Sequence, residues 1–173
     1  LHCKVFDQIV KKIRIASASG FWGDSEEAAI AQVKNGAIDY LVFDYLAELT
    51  MSIMARIQEK NSELGYAHDF PELIGKIAED ISKKKIKVIA NAGGINPKAC
   101  AKKLKEILAE KKIDLKIAVI TGDDLRDEID SLISKGEELK NLDTAESIDS
   151  IKDDIQCANS YLGGEKVVED LEL

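Results

Sequence analysis

Tyr40-Leu41-Val42-Phe43-Asp44 and Lys87-Val88-Ile89-Ala90-Asn91 are two short aliphatic runs, each closed by a polar residue and each followed by a helix signal. Runs of this length, apolar at successive positions, are the pattern of strands buried in a parallel sheet. The same reading extends in both directions. Lys11-Lys12-Ile13-Arg14-Ile15-Ala16-Ser17-Ala18 reads as a first strand, residues 115–121 as a fourth and Ile155-Gln156-Cys157-Ala158 as a fifth. Helices fall between them. One covers residues 24–35, capped by Asp24 with Glu27 at capping-box spacing and stopped by Gly36. A second runs to about Leu64, with Leu49, Ile53 and Ile57 along one face and Gly65 as its stop. A third covers residues 72–84 behind Pro71. A fourth is capped by Asn96, carries Pro97 at its first position and buries Leu104, Ile107 and Leu108. Further helices are expected up to Gly136 and from near Gly164, with a polar stretch at 137–154.

Alternating strands and helices predict an α/β fold, a mostly parallel sheet flanked by helices, either open and doubly wound or part of a β/α barrel. Residues 1–12 read as an N-terminal extension and residues 13–173 as one α/β domain, truncated at its C-terminus.

Composition narrows the function. Aromatic residues make up 5% of the chain, so the core must be built from aliphatic side chains. The net charge of −8 is uneven: 19 basic against 16 acidic residues up to residue 120, then 5 against 16. That balance argues against a nucleic-acid partner, whose phosphates require a basic face. Three cysteines without CxxC spacing indicate neither a disulfide framework nor a zinc site. No apolar stretch approaches the ~20 residues of a membrane span, and no secretory signal is visible, so a cytoplasmic setting is expected.

Each expected strand leads into small, polar or acidic residues, and a parallel sheet would gather these loops along one edge. The first loop, Ser17 to Ser25, offers Gly20 and Gly23 for close backbone approach, Ser19 as a donor and a helix start that favours an anion. A plain glycine turn capped by Asp24 is the other reading. The third loop offers Asn91, Gly93, Gly94 and Asn96, either as substrate contacts or as a turn and helix cap. Asn159 belongs to the fifth loop. Asp44, Glu48 and Asp123 are the candidate catalytic acids, with Asp24 and Asp124 on the same expected edge; carboxylates placed together would shift one another's pKa or hold a cation such as Mg²⁺. Neither a GxGxxG nor a Walker pattern occurs. His68 reads as part of a loop, in the position of a lid, and Cys157 as a strand-end thiol.

Four segments together resemble a known family. They are Ser19-Gly20-Phe21-Trp22-Gly23-Asp24, Asp39-Tyr40-Leu41 with Asp44-Tyr45-Leu46-Ala47-Glu48, Asn91-Ala92-Gly93-Gly94 with Asn96-Pro97, and Ala158-Asn159-Ser160-Tyr161-Leu162-Gly163. In this order they resemble the acyclic terpene utilisation (AtuA-type) proteins. The resemblance implies a place in bacterial breakdown of acyclic terpenes such as citronellol and geraniol, through acyl-CoA intermediates. It also implies a longer chain, with a further strand and a Gly-Arg loop. The expected function is a catabolic enzyme domain acting on a small acid or acyl-CoA-type substrate. The alternative is a non-catalytic ligand-binding or subunit-docking module of an acyl-CoA-processing complex, with a second copy or a partner subunit as its companion.

Overall fold

A computed structural model of the chain describes residues 12–171. Three strands, β1 (Ile15–Ser19), β2 (Tyr40–Phe43) and β3 (Lys87–Ala90), form an open parallel sheet in the order β1-β2-β3. Six α-helices accompany them: α1 (Glu26–Asn35), α2 (Glu48–Lys60), α3 (Phe70–Lys84), α4 (Pro97–Glu110), α5 (Ile129–Ser134) and α6 (Glu165–Leu171). The α/β class read from the sequence is the observed one. Among the described strands the order never reverses, so the switch that marks a doubly wound sheet is not among them. Lys11, the start of the expected first strand, and most of the expected extension lie outside the described residues.

Packing follows side-chain alternation. Leu41 and Phe43 on β2 are buried, and Ala16 on β1 and Val88 on β3 pair with Leu41 in register. These side chains join Ala29 and Val33 of α1, Met54 of α2, Leu73, Ile74 and Ile77 of α3 and Leu104 and Leu108 of α4 in one core. On the opposite face Ile15 and Ser17 are exposed, and Tyr40, Val42 and Ile89 are only half-buried. Near its end β1 carries one extra residue: Ser17 pairs with Val42 but Ser19 with Phe43, so the register slips past Ala18. The slip turns Ser19 to the buried face, as bulges do when they re-aim a side chain.

Helix ends show local chemistry at work. Asn96 caps α4, its side-chain oxygen accepting from Ala99 N–H at 3.3 Å, while Pro97 begins the helix as the sequence predicts. Lys84 donates to the carbonyls of Val33 and Lys34 at 2.6 and 2.7 Å, satisfying the end of α1 from across the core. α3 opens at Phe70, two residues ahead of the expected start, because Pro71 fits within a first helical turn.

Three sequence expectations fail. Residues 115–121 form no strand and make no backbone hydrogen bond to β3. Leu115 and Ile117 still pack on the core, so burying one side of the segment satisfies the aliphatic alternation without a ladder. Residues 155–158 form no strand either; Ala158 O accepts from Leu125 N–H at 2.7 Å, next to an isolated antiparallel bridge between Asp124 and Asn159. The face of α2 carrying Leu49 and Ile53 looks outward, 73% and 42% exposed, and the buried residues are Met54 and Ala55. A four-residue spacing marks a stripe but not which neighbour it meets.

Candidate functional site

The carboxyl ends of the three strands meet, and backbone bonds bring their side chains together. Asp44 N–H donates to Ser19 O at 3.3 Å across the end of β1 and β2. Asn91, immediately after β3, donates from Nδ2 to Asp44 Oδ1 at 2.7 Å, and its Oδ1 accepts from Tyr45 N–H at 2.7 Å. Both ends of the Asn91 amide are therefore fixed, which fixes the rotamer of Asp44. Asp44 is exposed, not half-buried as its place after an aliphatic strand implies, because the chain leaves the sheet at this residue. No protein donor meets its second oxygen, Oδ2, among the described residues.

The first loop does not hold an open anion site. The Asp24 carboxylate folds back and accepts from Gly20 N–H at 3.0 Å and from Ser25 N–H at 2.7 Å. Ser25, not Asp24, stands at the N-cap of α1. These two N–H groups hold the Asp24 carboxyl below the ordinary carboxylate range. The folded form thus favours the ionised acid, so its contribution to stability is present above the usual carboxylate pKa and is lost as pH falls through the lowered value. Acid titration through that lowered value should loosen this loop. A change in Trp22 fluorescence measures it, and Asp24→Asn should abolish that pH-dependent change.

Trp22 ties the loop down. Its indole N–H donates to Asp69 Oδ1 at 2.7 Å, and its ring meets His68 edge to face at 5.6 Å. Tyr45, 4% exposed, packs against Phe43 and Phe70 at ring separations of 5.7 and 6.0 Å. Burial first, then the charges of Asp69, Glu26 and Asp24, push the Tyr45 phenol up to about 12. Sequence reasoning passed over Tyr45. Alternation through Leu41 and Phe43 places it on the buried face, and that signal was available.

The third loop is shaped by packing. A Cβ at Gly93 would lie 2.7 Å from Pro97 Cβ, and Gly94 takes φ +51 against Met54. The Asn96 amide donates to Ser62 O and Leu64 O, both at 2.9 Å, fastening this loop to the segment after α2. Gly20 and Gly23 differ: a Cβ at either meets nothing within 4 Å, and Gly23 needs its freedom only for φ +100.

The remaining acids are held separately. Asp123 Oδ2 accepts from Asn159 Nδ2 at 3.0 Å, and Ser160 N–H donates to Asp123 O at 2.8 Å, so the fourth and fifth loops do join. Asp124 pairs with Arg126 at 2.7 Å, which lowers its pKa. Glu48 begins α2 and is exposed. Among the described residues no three His, Cys, Asp or Glu side chains gather as a group that could hold a metal ion, so the expected cluster of Asp24, Asp44, Glu48, Asp123 and Asp124 does not form. Two surface hollows, of about 340 and 160 Å³, are lined by residues 138–151 and by the Tyr66–α4 region, and neither takes in a predicted site residue. Cys100 is buried, its thiol pushed up to about 12, which leaves it unreactive. Cys157 lies 4.0 Å from Ser52 Oγ on α2.

The structure therefore brings Ser19, Asp44 and Asn91 together, with Gly93 and Gly94 shaping the adjoining turn, and brings Asp123 to Asn159. Among the described residues no hydrogen bond joins the two groups. Among the described residues no helix is long and apolar enough to cross a membrane. No curated protein and no solved structure matches the chain. One family model does, that of the acyclic terpene utilisation family protein AtuA, and it spans residues 13–173. With nearly its whole length matched and its four quoted segments inside the match, the chain belongs to the acyclic terpene utilisation family.

Proposed function

We propose that the chain supplies the substrate-binding edge of a cytoplasmic catabolic enzyme acting on a small acid or its CoA thioester. One observation carries the proposal: Ser19, Asp44 and Asn91, from the ends of three neighbouring parallel strands, are linked by hydrogen bonds at the edge where α/β sheets bind ligands. Asp44 is the general base of this reading. Its Oδ1 is oriented by Asn91, and its Oδ2 is left to accept a substrate proton. Family membership supports a terpene-derived substrate.

A subunit-docking role is the second reading, favoured by the exposure of Leu49 and Ile53 one turn apart on α2. A thermal-shift screen with free acids and CoA thioesters separates the two, since a ligand that binds only the folded state raises the melting temperature. A saturable rise that Asp44→Asn diminishes supports the enzyme. No rise with any of these ligands, together with self-association or capture of a companion subunit that Leu49→Lys abolishes, supports docking.

A further inference from the structure

The end of β1 is out of step with the rest of the sheet. Tyr40 N–H donates to Arg14 O at 3.1 Å, and the same step carried along β2 would pair Asp44 N–H with Ala18 O. It meets Ser19 O instead, at 3.3 Å, because β1 carries one extra residue between Ser17 and Ser19. The slip turns Ser19 to the buried side along with Ala18, and its Oγ has no hydrogen-bond partner there. The nearby Tyr45 hydroxyl approaches it outside hydrogen-bond geometry. A buried hydroxyl left unpaired is destabilising, and native proteins contain few of them. The slip also leaves Asp44 with a side-chain partner on one flank only. On β3, Ile89 lies opposite Val42, so Asn91 comes opposite Asp44 and holds its Oδ1. On β1, Ser17 lies opposite Val42, so an unbroken register would bring Ser19 opposite Asp44 on the other flank.

We propose that β1 has two registers, the observed one and a continuous one in which Ser19 leaves the core and its hydroxyl donates to Asp44 Oδ2. The continuous register closes the strand-end site, because it occupies the oxygen that the proposed reaction needs. The observed register is then the substrate-ready one, a consequence that rests on the reading of Asp44 as a base. The exchange trades one set of bonds for a similar set. The Ser19 hydroxyl gains an acceptor, and Asp44 N–H passes from Ser19 O to Ala18 O. The Ser17 hydroxyl gives up its 3.4 Å bond to Ser19 O. The first loop has to absorb the change in strand length, and Gly20 and Gly23, with open space around them, give it that freedom. Two packings of similar free energy are what a switch requires. A substrate proton at Oδ2 competes with Ser19, so binding selects the observed register.

The test is relaxation dispersion on the ¹⁵N-labelled protein without ligand, which reads exchange on this timescale. The Ser19, Gly20 and Asp44 amides should exchange at one common rate, with a minor state of roughly 1–10%. Ser19→Ala should flatten the profiles, because alanine gains no bond at Asp44. Ser19→Asn should act in the opposite direction. Its amide is larger than the buried position takes, so the side chain moves to the Asp44 side. The Asp44 and Asn91 amide resonances should then lie at the minor-state positions of the wild type. Flat profiles in the wild type overturn the proposal. So does exchange that survives Ser19→Ala, or Asp44 and Asn91 resonances that stay at the major-state positions in Ser19→Asn. None of these readings uses a substrate, so the switch and the proposed function fail separately. Exchange with these responses, alongside full turnover in Asp44→Asn, keeps the switch and removes Asp44 from catalysis. Flat profiles alongside lost turnover in Asp44→Asn remove the switch and leave the proposed function.

Discussion

Gly94→Ala is expected to destabilise the protein by about 3 kcal/mol, lowering its melting temperature by roughly 10 °C. Two costs combine. Gly94 has φ +51, a left-handed conformation that a side chain raises by about 1 kcal/mol. Its added Cβ would also overlap Met54 Sδ and approach Gly65 O to 3.0 Å. Met54 is fully buried between the sheet and the helices, so its sulfur cannot retreat without moving the core, and overpacking of this kind costs about 1–3 kcal/mol. Gly20→Ala provides the contrast, because a Cβ there meets nothing within 4 Å. Thermal melts of the two variants check the prediction. A shift of only 1–2 °C for Gly94→Ala would mean that the third loop repacks freely.

Asp44→Asn is expected to lower turnover by roughly 10²–10⁴-fold, the usual worth of a general base, while leaving the melting temperature nearly unchanged. The amide keeps the size of the carboxylate, and its oxygen can still accept from Asn91 Nδ2, so the link between β2 and β3 survives. Asp44 is exposed, so neutralising it removes no buried charge and leaves no unpaired buried group. Loss of the proton acceptor is then the only change of consequence. The rate is measured on the acid or thioester that thermal shift identifies, alongside a melt of the same preparation. Full turnover in the variant removes Asp44 from catalysis even if the ligand still binds at the strand ends.

The strands β2 and β3 were legible because each is a short aliphatic run closed by a polar residue, a signal that depends on burial alone. Residues 115–121 carry the same signal and yet do not pair. Hydrophobicity reports that Leu115 and Ile117 are covered, not whether a ladder covers them. The α2 stripe failed for a related reason: Leu49 and Ile53 have core-like spacing, and only the tertiary arrangement reveals that Met54 and Ala55 face inward. At the site, Asp44 and Asn91 could be named because both follow strands directly. Their hydrogen bond required the register of β2 on β3, which no local pattern encodes. The acid cluster failed because sequence places carboxylates on an edge without revealing their partners. Asp24 is bound by its own loop and Asp124 by Arg126, so neither is available to a shared ion.

The strand order has a bearing on how the chain acquires its shape. Each strand pairs with the one made just before it, so no strand has to wait for a partner synthesised later. β2 can dock on β1 once α1 has formed between them, and β3 extends a ribbon that already exists. Closing each connection costs entropy that grows only slowly with its length, and neither closure spans the whole chain. The sheet can therefore grow in one direction, from the amino-terminal strand outward, during synthesis itself. The strand-end edge follows the same schedule: Ser19 and Asp44 come together first, and Asn91 arrives last, fixing an aspartate that its earlier neighbours have already put in place.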